Sequence, residues 1–305
     1  NIYKGEKMFN PFEVEGNWYK GNIHTHTTNS DGEFSPEKVI EGYKKKNYDF
    51  LAITDHNKVT DVEEYSREDF LLVPGIEIDV GKNSVGNTYH LVGINVKEGF
   101  EASPEFRAKL GAQEGIDFLK EKGGEAILAH PYWSGSTMED LFPLKGQLGI
   151  EVYNSTCLKG IGKGLSSVYW DALLAKGRLN WGFAVDDAHF HYADGYRGWI
   201  IVKAPALDKE SIISSIKKGL FYSSTGPRIK EINFDGKRVY ILTSSPVKVI
   251  NFICDNARGR SIWKENGKEF LEAEYELKGK EKYLRVECID KNGETAWTNP
   301  LFFRD

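Results

Sequence analysis

Between residues 22 and 217, short apolar runs alternate with helical segments. This alternation limits the chain to an α/β fold. The runs are Asn22–His26, Phe50–Thr54, Leu71–Ile78, Tyr89–Val96, Glu125–His130, Ile150–Tyr153 and Trp181–Val185. Helix starts are marked between them. Ser35-Pro36 reads as an N-cap followed by proline at the first helical position. Thr60-Asp61-Val62-Glu63 has capping-box spacing. Ser103-Pro104 opens a helix expected to run to about Lys122, stopped by Gly123-Gly124. Two more are expected, over Leu165–Lys176 and after Asp208, each closed by a glycine.

From Ser224 the texture changes. Six short alternating runs follow, at Ile229–Phe234, Arg238–Thr243, Val247–Cys254, Phe270–Leu277, Tyr283–Ile289 and Thr295–Phe303. Turn signals such as Asp235-Gly236 and Asn292-Gly293 separate several of them, and a small antiparallel β-sandwich is expected. The domain expectation is therefore 1–223, with 1–21 as an N-terminal arm, and 224–305. The first part carries −7 and the second +2, for a net −5. There is no basic excess to support an extended nucleic-acid surface. No run of 18 apolar residues marks a membrane span, and no charged-then-apolar leader follows Asn1. Cys157, Cys254 and Cys288 do not form a disulfide framework, although Cys254 and Cys288 fall on expected sandwich strands. A cytoplasmic location, with reduced thiols, is the expectation.

All seven histidines precede residue 192. Most sit where an apolar run ends. Ile23-His24-Thr25-His26 places two imidazoles on one face if extended, because alternate strand residues share a face. Asp31 follows in a loop. Phe50–Thr54 ends in Asp55-His56-Asn57, and Leu71–Ile76 delivers Glu77. His90 lies in Tyr89-His90-Leu91, His130 ends the Ala126–Ala129 run, and Asp186-Asp187-Ala188-His189 ends the last run. One buried histidine is ordinarily a hydrogen-bonded core residue. Six strand-end sites in one chain are not explained that way. Imidazole with carboxylate suits Zn, Mn or Fe, and eight or nine such groups exceed the needs of one ion, so two or three clustered divalent ions are expected.

The motifs His24-Thr25-His26, Thr54-Asp55-His56, Gly75-Ile76-Glu77, Ala129-His130-Pro131 and Asp187-Ala188-His189 together resemble the polymerase and histidinol phosphatase (PHP) domain family over about residues 20–225. The resemblance implies a distorted seven-stranded (β/α) barrel, a di- or trinuclear metal centre at the C-terminal ends of the strands, and phosphoester hydrolysis. It implies one metal on His24, His26, Glu77 and Asp187. It implies a second on His90 and His130, bridged by Glu77, and a third on Asp31, His56 and His189. The Asp-x-His spacing of the family it resembles implies Asp187 rather than Asp186. The expected reaction is in-line attack by a metal-bridging hydroxide on a small phosphorylated metabolite, a nucleotide or sugar phosphate.

Around these groups, Asp55 is expected to orient a ligand imidazole, and Asp186 to be a hydrogen-bonding neighbour. Arg197 and Arg228 are candidate phosphate clamps. His191 is a candidate proton donor, and Tyr132, Trp133 and Tyr153 are candidate stacking surfaces for a ring substrate. Three other readings compete. An exonuclease of the same chemistry needs a cationic groove. A non-catalytic metal-binding scaffold needs no complete ligand set, yet every expected position is filled. A metal-dependent amidohydrolase would be marked by a bridging lysine, where this chain has Glu77.

Overall fold

The apolar runs become strands buried on both faces, as a sheet covered by helices requires. The computed structural model describes residues 10–65, 67, 69–97 and 101–303, so part of the expected arm, residues 1–9, lies outside the described residues. The first strands are β1 (Asn17–Asn22), β2 (Phe50–Ile53), β3 (Leu71–Val80), β4 (Tyr89–Ile94), β5 (Glu125–Leu128), β6 (Gly149–Asn154) and β7 (Trp181–Val185). They lie side by side in chain order. Pairing is parallel except at β3–β4 and β4–β5. Beyond their ends, the chain after β1 meets the chain after β7. Thr25 bridges Ala188 in parallel sense, His26 N donates to Ala188 O (3.0 Å), and Asp187 N donates to His24 O (2.9 Å).

The helices are α1 (Pro36–Lys45), α2 (Pro104–Arg107), α3 (Ala112–Glu121), α4 (Met138–Leu141), α5 (Ser155–Ile161), α6 (Ser167–Ala175) and α7 (Lys209–Lys217). Ser35 caps α1 as its sequence demands, burying Val39, Ile40 and Tyr43 against β2. No described helix is long and apolar enough to cross a membrane. Three local expectations change. His24 and His26 lie past the end of β1 rather than within it. The expected 103–122 helix is two helices, α2 and α3, with Gly111 as the second N-cap. The capping box at Thr60 yields only a 3-10 turn, Glu63–Tyr65. The Thr60 hydroxyl is engaged elsewhere, donating to Asp55 Oδ2 (2.5 Å) and accepting from Asn29 Nδ2 (3.0 Å).

Two strands not anticipated, β8 (Trp199–Ala204) and β9 (Phe221–Ser224), extend the sheet antiparallel beyond β1. Among the described residues, the C-terminal region has eight strands rather than six. These are β10 (Ile229–Phe234), β11 (Arg238–Val247), β12 (Val249–Cys254), β13 (Gly259–Trp263), β14 (Phe270–Glu276), β15 (Tyr283–Ile289), β16 (Thr295–Thr298) and β17 (Leu301–Phe302). β10, β11 and β14 form their own sheet, while β16 pairs with β9 and carries β15, β12 and β13 into the large sheet. The two sheets share one core, with Ile232, Val239 and Ile241 meeting Ile250, Phe252 and Val286. Cys254 faces Leu284 across the ladder and Cys288 faces Ile250, and all three thiols are free.

An ion pair with a buried guanidinium joins the C-terminal strands to α6. Arg285, 1 % exposed, is bidentate to Asp171 (Nε to Oδ1 and Nη2 to Oδ2, each 2.7 Å) and reaches Glu287 at 2.7 Å. Removing Asp171 takes two charged hydrogen bonds from the buried guanidinium and leaves it Glu287 as a carboxylate partner. Asp171→Ala is therefore expected to cost about 2 kcal/mol. Urea unfolding should show this as a lower midpoint at unchanged slope, and an unchanged midpoint would refute the assignment.

Candidate metal centre

The strands and the segments that follow them deliver these side chains to one point through local backbone bonds. Asn22 Oδ1 accepts from His24 N (2.9 Å) and Thr25 O from Thr54 N (2.9 Å), which keeps residues 23–26 extended and turns His24 and His26 to the same side. β2 runs out into His56, bridged in parallel to Glu77 of β3. The antiparallel register of β3 and β4 sets His90 opposite Asp79, two residues from Glu77. His130 and Asp187 hold their positions with positive φ, +25° and +55°. That region is costly for residues other than glycine and is concentrated at functional sites.

The result is a tight knot of donors. His24 Nε2 lies 3.2 Å from both Glu77 Oε2 and Asp187 Oδ1. His26 Nε2 lies 3.2 Å from Glu77 Oε2 and 3.0 Å from Asp187 Oδ1. His90 Nδ1 and His130 Nε2 approach Glu77 Oε1 at 2.9 and 3.1 Å. On the open side, Asp31 sits 3.3 Å from His189 Nε2 and 3.7 Å from both His56 Nε2 and His26 Nδ1. All nine expected ligand residues thus come together.

Three sets can each surround one ion: His24, His26, Glu77 and Asp187; His56, Glu77 and His90; and His26, Asp31, His56 and His189. The second takes in His56 where His130 was expected, with His130 still touching Glu77. The third adds His26.

The donors fit divalent ions better than they fit one another. Glu77 Oε2 is buried and has no hydrogen-bond partner, although three imidazole nitrogens lie within 3.3 Å. Donors held about 2.0–2.1 Å from a tetrahedral ion are separated by roughly 3.3 Å, close to the spacings of the first set. Burial opposes the charge on His26, but the Asp187 and Glu77 carboxylates outweigh it and raise the imidazole to about 9. Burial likewise pushes Glu77 and Asp187 up, and the surrounding imidazoles hold both below the usual carboxylate range. Protons and divalent ions therefore compete for these groups.

Supporting residues differ from expectation in part. Asp55 does not touch an imidazole. It accepts from Thr27 N (2.7 Å), Thr27 Oγ1 (2.8 Å) and Ser30 Oγ (2.8 Å), and reaches His26 Nδ1 only through Ser30. Asp186 is buried and anchors the loop into β8, accepting from Tyr196 N, Arg197 N and Gly198 N at 2.7–2.8 Å and from the Tyr43 hydroxyl. Sequence reasoning missed Glu151. It accepts from His24 Nδ1 (2.6 Å), His130 N (2.8 Å) and Asn154 Nδ2 (2.9 Å). Its available signal was a lone carboxylate inside the apolar run Ile150–Tyr153.

A cavity of about 270 Å³ opens onto the donors, lined also by Trp133, Thr156, Cys157, His191 and Tyr192. Trp133 stands 5.1 Å from His130 and 5.8 Å from His90 by ring centroids. Tyr132, Arg197 and Arg228 do not line it. Tyr132 faces Tyr169, and Arg197 Nε donates to Ala193 O. Tyr153 packs in the core against Trp297.

By accepting the Nδ1 proton of His24, Glu151 leaves Nε2 bare toward the other donors. A glutamine there can present its amide N–H instead and reverse the tautomer. Glu151→Gln is expected to weaken Mn²⁺ binding by about 10–100-fold, read by calorimetric titration. Equal affinity in the variant would remove this role.

The PHP domain family model matches residues 22–228. The uncharacterized protein MJ1587 of Methanocaldococcus jannaschii is 28% identical over 157 residues, 47% of this chain and 85% of that protein. The 5′-3′ exoribonuclease Rnm of Salmonella typhimurium is 35% identical over 94 residues, 28% of this chain and 31% of that enzyme, so the chain spans under a third of it. A solved two-domain protein of Bacteroides vulgatus, described as containing a PHP-like metal-dependent phosphoesterase, shares the fold with a TM-score of 0.51 at 15% identity, covering 97% of this chain and 100% of that one. The motif order, the converging donors and the family match over more than half the chain lead to one conclusion: this chain belongs to the PHP domain family.

Proposed function

We propose that the protein is a metal-dependent phosphoesterase acting on a small phosphorylated metabolite, a nucleotide or sugar phosphate. The observation that carries this reading is a cavity of about 270 Å³ whose charged lining, among the described residues, is imidazole and carboxylate with no lysine or arginine. A phosphate entering there needs cations that the side chains do not supply. His24, His26, Glu77 and Asp187 would hold one ion, Glu77 with His90, His56 and His130 a second, and Asp31, His56 and His189 a third, where the chain after β1 meets the chain after β7. Bound divalent ions supply acidified water and neutralise phosphate charge.

The chain's own residues do the rest. Glu77 faces both inner groups and fixes their spacing. His189 donates Nδ1–H to Asp187 O (2.8 Å), which leaves Nε2 toward Asp31. Trp133 and Tyr192 give the substrate an apolar wall and exclude water from part of the mouth. His191, half-exposed at the rim, is placed to pass a proton to a leaving oxygen.

A second reading is an exonuclease that admits only the terminal nucleotide. It is supported by the similarity to exoribonuclease Rnm over 94 residues. The two readings separate on salt dependence, because a strand held by its backbone loses affinity steeply with salt and a small ester does not.

Phosphate release from nucleoside monophosphates, sugar phosphates and a 5′-phosphorylated oligonucleotide, each with Mn²⁺, Zn²⁺ or Fe²⁺, tests the proposal. Small esters are expected to be hydrolysed with shallow salt dependence, and activity should vanish on chelation and in His26→Ala. Full turnover by chelator-stripped protein would sink the metal-dependent reading.

A further inference from the structure

We infer that the C-terminal strands form a fixed part of the metal-centre scaffold, and that Asn299 is the positioning residue through which they act on β7. The inference rests on the reading of Asp187 and His189 as metal ligands.

β7 is the last strand of the large sheet. Its inner edge pairs with β6, and no strand pairs with its outer edge among the described residues. A buried strand cannot leave backbone groups unmet without cost. Two side chains meet three of that edge's backbone groups. Asn299 Oδ1 accepts from Gly182 N (3.0 Å). Ser223 Oγ donates to Gly182 O (2.7 Å) and accepts from Ala184 N (2.9 Å). Ser223 belongs to β9, and Asn299 follows β16, the strand that pairs with β9. The Asn299 carboxamide is itself pinned, donating to Gly219 O (3.2 Å) and Phe221 O (3.1 Å).

A second link from the C-terminal strands reaches the same residue. The Arg285 guanidinium lies 4.7 Å from the Trp170 ring centroid. The Trp170 ring packs so closely on Gly182 that a Cβ there would sit 2.6 Å from it. Both links converge on Gly182, and β7 then runs directly into Asp186-Asp187-Ala188-His189 with no intervening loop. A strand whose outer edge loosens carries Asp187 away from His24 and His26, where spacings of 3.0–3.2 Å leave little room for drift.

The test uses the full chain with Mn²⁺ as the probe. In Asn299→Ala, the tightest Mn²⁺ binding is expected to weaken about tenfold, and amide exchange is expected to rise at Gly182 and Ala184. Asn299→Asp keeps the acceptor for Gly182 N and loses the two donors, so it should lower overall stability yet retain protection at Gly182. Tyr275→Phe removes, from β14 of the three-stranded sheet, a hydroxyl that donates to Glu281 in the connection to β15 (3.0 Å), and should lower stability with Mn²⁺ affinity unchanged. If Asn299→Ala does not fold, Ser223→Ala tests the same edge with the same expectation.

Unchanged Mn²⁺ affinity and unchanged exchange in Asn299→Ala would overturn the inference. So would a loss of Mn²⁺ in Tyr275→Phe matching its loss of stability. If the wild-type chain binds neither Mn²⁺ nor Zn²⁺, the metal reading fails by itself, and the exchange measurement still decides whether Asn299 holds β7.

Discussion

The structure is organised around the burial of Glu77. Its carboxylate is 1 % exposed, at the floor of a cluster that also buries Asp187, His24, His26 and His130. Placing a carboxylate there is costly unless positive charge meets it. Five imidazoles approach its two oxygens, and Oε2 still lacks a geometrically sound hydrogen bond. Such an arrangement satisfies itself poorly with protons and well with divalent ions, which accept donor atoms from several directions at once. The same requirement explains Glu151. A second carboxylate behind His24 holds the ring's far proton, and by also binding His130 N it fixes the backbone of a neighbouring donor. One side chain thereby orients parts of two strand ends.

The backbone follows from the same demand. His130 and Asp187 adopt positive φ, a strained choice for non-glycine residues, and each is held by several bonds. His130 N is taken by Glu151, and Asp187 N by His24 O. Asp186, next in sequence, faces the other way and gathers three amides of the following loop into its carboxylate. Adjacent aspartates thus divide the labour, one turned to the donors and one fixing the turn that aims it.

Much of the site is legible in the sequence because metal-binding residues must end strands that converge, and apolar runs ending in His, Asp or Glu announce that. His24, His56, His130, Asp187 and His189 obey it, and Glu77 does so only in sequence, since it lies inside β3. Glu151 does not, because a carboxylate within a buried strand looks the same whether it supports a ligand or pairs with a lysine. Asp55 was misread for a related reason: after a strand, an aspartate that braces a loop and one that braces an imidazole have the same neighbours in sequence. Among the elements, β8 and β9 were invisible since their runs lie close to loop and helix signals. β13 is mostly exposed and lacks alternation. The 103–122 helix broke because the apolar pattern does not record that Gly111 can start a new helix.

Seen from the sheet, the boundary near residue 224 marks a change of texture more than a change of scaffold. β9 ends there and pairs on one side with β8, and on the other with β16, far along the chain. The hydrogen bonding therefore runs without a break from the strands that deliver His24 and Glu77 into the C-terminal strands. A binding module that moved independently would have to cut this ladder, leave the Arg285–Asp171 pair unmatched and open the outer edge of β7. Each of these is a buried polar group losing its partner, and together they bind the C-terminal strands to the donor cluster as one mechanical unit.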